Sequence, residues 1–327
     1  MKAAQLYGIG DIRIDEIAAP TNLEAKQLRL QVDAVGICGS DLHNYQTGQW
    51  MSQLPMIPGH EFTATVLEIG ADVDAFQVGD KVVADSRVWC GKCPACQRQQ
   101  YNHCASLAFV GEVCAGGMTE QVLHDERQLL KVPASLPPEV AVLSEPLGVS
   151  LRVIHQLAAA AGEVVKIAGG GTIGGLAALL LSDIFQHPVV LSEPNPQRYQ
   201  KLNALIALSD EQPFRYAIDA TGIPAVINQL IEQIEPGGRI ALVGLPHQNQ
   251  MIDILTVVEK EITLIGCSVF DGEQRQAIDY LSPLAGKLKQ LVSPPFALED
   301  IPSIYEQLSQ GGADYLKAVI QPNRRPQ

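Results

Sequence analysis

The sequence predicts an α/β protein of two domains, one built on a parallel sheet and the other rich in β structure. Three observations carry this. Val164–Leu181 reads as a buried strand, a glycine turn and an apolar helix. Strand-like and helix-like runs alternate after it, the pattern of a parallel sheet. The earlier residues hold short alternating runs punctuated by glycine and proline, as β structure does. At 327 residues the chain is also long for a single core.

In chain order, residues 1–33 are β-rich, and Leu28–Val32 alternates apolar and polar as a half-buried strand should. Val35–His43 is a glycine-broken segment dense in polar chemistry. A loop with Gly48, Trp50, Pro55 and Pro58 leads to Gly59-His60-Glu61-Phe62. Thr63–Gly70 and Val78–Ala84 read as strands around a turn. Residues 107–143 hold more β structure and a crossing marked by Pro133, Pro137 and Pro138. Ser144 is placed to cap a helix whose first turn holds Pro146 and which runs to about Ala160. Beyond the central run, strands are expected at Pro188–Glu193, Arg215–Ala220, Gly238–Gly244 and Ile262–Gly266. Helices are expected at Pro196–Ala204, Ala225–Ile234 and Ile301–Leu308, followed by a short strand, Lys317–Ile320, and a polar end, Asn323–Gln327.

The glycine turn fits G-x-G-x-x-G at Gly169, Gly171 and Gly174, with Thr172 and Ile173 between the last two. The first glycine permits a tight turn, the second lets backbone approach a pyrophosphate, and the third lets helix pack on strand. The helix N-terminus then offers free N–H groups to that anion. Glu193, at the end of the next strand and 19 residues after Gly174, stands where an acid takes the adenosine ribose hydroxyl, with Arg198 close by. In such sheets ligands sit at the carboxyl ends of the strands, which places Thr221, Val243 and Gly244 at the cofactor. The reading is a dinucleotide; the alternative is an ordinary βαβ turn.

Cys90, Cys93, Cys96 and Cys104 form a second cluster. Four thiolates on a tetrahedral zinc account for C-x2-C spacing, and with no open corner such a site is structural. A ferredoxin-type cluster fits less well because Cys104 is too distant, and unligated thiols are the remaining alternative. Cys38, His60 and Glu145 lie far apart, yet each sits beside a glycine or proline that redirects the chain. A catalytic zinc takes three protein ligands and keeps one corner open. Glu61 competes with Glu145 for the third position. Adjacent strand residues point to opposite faces, so His60 and Glu61 share a metal only where the chain bends. Each of these residues also reads as an ordinary core side chain. Cys114 and Cys267 read as plain thiols.

A formal charge of −13 argues against a nucleic-acid partner, since phosphate would be repelled. No apolar run approaches the roughly 18 residues of a membrane span, and the start lacks a signal peptide's apolar region. Seven cysteines without a secretion signal point to metal or free thiols and a cytoplasmic protein.

Cys38-Gly39-Ser40-Asp41-Leu42-His43, Gly59-His60-Glu61-Phe62, the cysteine quartet and the dinucleotide fingerprint occur in one order. Together they resemble the zinc-containing alcohol dehydrogenase family of medium-chain dehydrogenases. Ser144-Glu145-Pro146 makes the polyol (sorbitol-type) and threonine dehydrogenase branch the nearest likeness. The resemblance implies a GroES-like catalytic domain over 1–145, with a structural zinc lobe at about 88–106. It implies a Rossmann domain over 146–270 and a returning segment over 271–327. It implies that Cys38, His60 and Glu61 bind the catalytic zinc, with Glu145 as neighbour or alternate ligand. Ser40 and His43 form a proton relay, the cysteine quartet binds structural zinc, and Glu193 favours NAD over NADP. The implied activity is hydride transfer from a secondary alcohol, a polyol or related hydroxy compound, to NAD by a homodimer or homotetramer. A threonine-type amino-alcohol dehydrogenase and a non-catalytic nucleotide-binding relative are the alternatives. Two departures stand out: the stretch from Glu193 to Asp219 is short, and no arginine follows Gly266, which weakens the case for a sugar alcohol.

Overall fold

The computed structural model describes residues 1–245, 251–311 and 313–324. The chain forms two compact units, Met1–Glu145 together with the residues from Arg275 onward, and Pro146–Gln274. The last residues of the polar end, 325–327, lie outside the described set, while Asn323 donates from its side chain to Val32 O at 2.8 Å.

The first unit holds a six-stranded sheet. Five strands lie in the order Ala318–Ile320, Gln27–Ile37, Glu61–Ile69, Lys81–Ala84 and Leu129–Lys131, and Gln121–Asp125 also pairs with Gln27–Ile37. The central strand explains itself from its residues. Leu28, Leu30 and Val32 are buried while Arg29 and Gln31 between them are not, giving the period of two of a strand with one covered face. From Ala34 to Ile37 every residue is buried, so both faces are covered where the strand approaches the site. One core joins these strands to Met118, Leu298, Ile301, Ile304 and Tyr305.

The strand ends at Ile37 and the chain turns directly into a helix, Gly39–Thr47. The sequence reading left this segment as a glycine-broken stretch. Asp41 explains the helix, because its carboxylate accepts the Cys38 N–H at 2.9 Å and satisfies one of the N–H groups at the helix start. A second helix begins at Ser144 itself, not after it, and ends at Leu157, where Ala158 adopts a positive φ of 49°. Ser144 is therefore no cap; a turn of helix at Pro138–Ala141 leads the chain in. The 19-residue helix Glu273–Leu291 had no counterpart in the sequence reading, since Pro283 and Gly286 interrupt its period.

The second unit is a parallel five-stranded sheet in the order Val189–Ser192, Val165–Ala168, Tyr216–Asp219, Arg239–Leu242 and Thr263–Gly266. The helix Thr172–Asp183 packs on it, with Gly174 through Leu181 all buried. Beyond Val189–Ser192 there is a single bridge, Val189 to Leu208, in keeping with the shortened stretch after Glu193. The close strand–helix approach depends on Gly174: an added Cβ would lie 1.9 Å from Gly169 O. Gly174→Ala should therefore displace the helix, destabilise this unit by at least about 1–3 kcal/mol and abolish NAD binding. Thermal melts and calorimetric titration with NAD check this; wild-type values in both would refute it.

Candidate active site and metal centres

Gly59 makes the site possible. It sits at φ 95°, where a Cβ would meet Val35 Cγ2 at 2.8 Å and Met118 Cγ at 2.9 Å. This left-handed turn ends just before the strand Glu61–Ile69, so His60 precedes the strand while Glu61 opens it. The alternation that would send adjacent side chains apart is broken there. The Cys38 thiol, the His60 imidazole and a Glu61 carboxylate oxygen all lie within 4.8 Å of one another. A soft thiolate, an imidazole and a carboxylate suit zinc, and three ligands leave one tetrahedral corner for another molecule.

The charges around this set are closely balanced. Lys317 and Glu61, each 1% exposed at the side chain, form a buried ion pair. Lys317 Nζ donates to Glu61 Oε1 at 2.7 Å, lies 2.6 Å from Oε2, and also donates to Ile37 O at 3.1 Å. The pair fits because Gly36, opposite Glu61 in the sheet, has no side chain; a Cβ there would stand 2.5 Å from Glu61 Oε2. Burial would lower the pKa of His60, but the Asp41 carboxylate and Cys38 outweigh it and hold the imidazole well above its ordinary value. His60 Nδ1 lies 3.7 Å from Asp41 Oδ1.

Glu145 is buried and accepts a hydrogen bond from Ser86 Oγ at 2.8 Å. It stands near enough to His60 and Glu61 to feel their charge, and burial pushes its pKa up to about 7. It is not part of the three-residue group whose ligand atoms converge. Ser40 and His43 lie three positions apart on the helix Gly39–Thr47, hence on neighbouring parts of one face. Ser40 lines a pocket with Asp41, Asn44, His60, Val110 and Glu112. His43 Nε2 is 2.7 Å from Gln49 Oε1, and its ring lies 4.8 Å from that of Trp50.

The four sulfurs of Cys90, Cys93, Cys96 and Cys104 also lie within 4.8 Å of one another. Backbone N–H groups are aimed at them. Cys90 N donates to Cys104 Sγ at 3.3 Å and Ser106 N at 3.4 Å. The N–H groups of Ala105 and Cys96 pull the Cys93 thiol down to about 6, in the direction a metal ligand requires. Trp89 stacks on Tyr101 at 4.7 Å and closes the lobe.

In the second unit, Gly171 caps the helix Thr172–Asp183 without a side-chain hydrogen bond, and nothing lies within 4 Å of its missing Cβ. Thr172 and Ile173 form the first turn, so the positive end of the helix dipole lies at the glycine turn. Glu193 accepts from Gly170 N at 2.7 Å and Asn195 N at 2.8 Å, and pairs with Arg198 at 3.3 Å. Its carboxylate thus braces the glycine turn. Thr221 N and Oγ1 both donate to Asp219 Oδ1. Gly244 packs so closely on Gly222 that a Cβ would lie 1.9 Å from Gly222 N, and Val243 N donates to Asp219 O.

Three residues of the first unit escaped the sequence reading. Asp41 was legible as an acid three positions after Cys38, the spacing of a helix-start partner. Lys317 carried a weaker signal, a lysine opening an apolar run. Glu112, between Gly111 and Val113, gave none.

Comparison with known proteins places this geometry. Residues 24–134 match the family model of the alcohol dehydrogenase GroES-like domain, and residues 175–283 that of the zinc-binding dehydrogenase. The chain is 27% identical to a sorbitol dehydrogenase of Bacillus subtilis over 99% of its own length and 98% of the relative's. It is 30% identical to an L-threonine 3-dehydrogenase of Pyrococcus horikoshii over 81% of each. It superposes on the crystal structure of 2R,3R-butanediol dehydrogenase from Bacillus subtilis with a TM-score of 0.89 and 27% identity, covering 98% and 99% of the two chains. The chain belongs to the zinc-binding alcohol dehydrogenase family. It is a zinc-dependent oxidoreductase acting on CH–OH donors with a nicotinamide dinucleotide, built from a GroES-like and a Rossmann-type domain. No helix among the described residues is long and apolar enough to cross a membrane.

Removing one member of a buried ion pair leaves a lone buried charge. Lys317→Met should cost the metal-free first unit about 3–5 kcal/mol, and adding Glu61→Gln should restore most of it. Urea unfolding of the single and double variants measures this; equal stability of Lys317→Met and wild type would refute it.

Proposed function

We propose that this enzyme oxidises a small secondary alcohol, a polyol or related hydroxy compound, at Cys38, His60 and Glu61. The observation that carries the reading is the convergence of these three ligand groups beside the pocket that Ser40 lines. Cys38, His60 and Glu61 would hold a catalytic zinc, with Glu145 adjoining. Cys90, Cys93, Cys96 and Cys104 would hold a structural one. When bound, zinc supplies Lewis-acid activation of a hydroxyl, and NAD accepts the hydride from the carbinol carbon.

The rest falls to the chain's own residues. Ser40 Oγ takes the substrate proton, and His43, one turn further along the helix, passes it toward water. Asp41 orients the His60 ring from Nδ1. Lys317 offsets the Glu61 charge, so that the three ligands are not over-negative for a divalent ion. Gly169, Gly171 and Gly174 cradle the pyrophosphate, Glu193 binds the ribose and disfavours a 2′-phosphate, and Thr221, Val243 and Gly244 border the cofactor at the strand ends.

NADH formation from secondary alcohols, sugar alcohols and threonine, with and without a zinc chelator, tests this directly. Turnover should be chelator-sensitive, and Cys38→Ser should abolish it while NAD still binds. Turnover indifferent to both would overturn the assignment.

The same reading makes the chain a cytoplasmic homodimer or homotetramer. None of its seven cysteines is in a disulfide, which suits a reducing compartment. Ile254, Leu255 and Val258 are 57%, 68% and 68% exposed beside the edge strand Thr263–Gly266, an apolar face of the kind assembly covers. Leu255→Asp should shift the mass found by light scattering toward the monomer; an unchanged oligomer would exclude this face.

A further inference from the structure

Glu112 lines the candidate active-site pocket and has no side-chain partner among the described residues. Its backbone is fixed: the N–H donates to Phe109 O at 3.1 Å, Ser52 Oγ donates to its carbonyl, and Gly111 before it turns at φ 83°. Its side chain lines the same pocket as Ser40 and His60. Its nearest charges are His60 and Asp41, and burial raises its pKa to about 7. Asp41 differs, since its carboxylate is occupied by Cys38 N and held near His60. Among the described residues, no side chain donates to the Glu112 carboxylate or pairs with it. A half-buried carboxylate with no protein donor beside a substrate position keeps an acceptor face open to the pocket, where a donor on a bound molecule can replace water.

We propose that Glu112 determines substrate class: it selects alcohols carrying a hydroxyl or ammonium donor next to the reacting carbinol and rejects those carrying a carboxylate or phosphate there. This rests on the pocket being the alcohol-oxidising site. Above about pH 7, where the carboxylate is ionised, a donor on the substrate satisfies Glu112, whereas an anion meets like charge at close range. A site that depends on a buried polar partner discriminates strongly against ligands lacking one.

Three probes of nearly equal size separate the cases: propane-1,2-diol, 1-aminopropan-2-ol and lactate. Each is a secondary alcohol whose neighbouring group is neutral, cationic or anionic. Binding to zinc-loaded enzyme is measured by calorimetry with NADH present, and kcat/KM is measured separately with NAD. In wild type, the amino alcohol and the diol should each exceed lactate at least tenfold. Glu112→Gln, nearly isosteric, should narrow that gap about tenfold at the expense of the amino alcohol, and Glu112→Lys should invert it. A ranking that is the same in all three proteins, or a wild type that prefers lactate, would overturn the proposal. If no probe yields NADH but the binding order shifts as described, the selectivity role stands and the alcohol-oxidising reading fails.

Discussion

The buried pairing of Lys317 with Glu61 is the constraint on which the catalytic unit depends. Two charges withdrawn from water are tolerable only together, so the strand carrying Lys317 must lie where Glu61 can meet it. Between them runs the strand Gln27–Ile37, whose Gly36 leaves the space and whose Ile37 carbonyl takes a further lysine proton. Three strands are thereby held in one register, and Cys38 follows directly from the middle one. The interaction that fixes the sheet also fixes the ligand set.

The two candidate metal-binding groups achieve charge balance differently. Around the cysteine quartet, backbone N–H groups lower the Cys90 and Cys93 thiols without another side-chain charge, while burial raises Cys96. Around Cys38, His60 and Glu61 the balancing groups are whole ions, Lys317 and Asp41, brought from separate segments. The first arrangement is contained within one loop. The second exists only after long-range pairing.

That contrast explains what could be read from the sequence. Gly169, Gly171 and Gly174 announced themselves because each meets a steric demand within one turn, and the cysteine quartet did so through spacing alone. Most strands were legible from alternation or apolar runs. The helix Gly39–Thr47 was obscured by its glycine and polar residues, and Glu273–Leu291 by Pro283. Whether Glu61 or Glu145 stands with Cys38 and His60 was not legible, because the answer depends on the turn at Gly59. Glu112 was silent and Lys317 only weakly marked, because a charged residue's burial is a property of what packs around it. The link between Glu193 and the glycine turn was equally hidden, since nothing local tells a carboxylate that bonds backbone from one that waits for a sugar.

The sequence distance between Glu61 and Lys317 bears on how the protein is made. They are separated by 256 positions. At the roughly 5–20 residues per second of translation, Cys38, His60 and Glu61 leave the ribosome about 13–50 s before the lysine that balances them. In that interval Glu61 has no buried counter-ion and the strand that completes its sheet does not yet exist. The cysteine quartet has all its ligands from the moment its loop emerges. The cysteine cluster is thus complete within one short stretch of chain, whereas the set around Glu61 gains its counter-ion only once the returning segment docks.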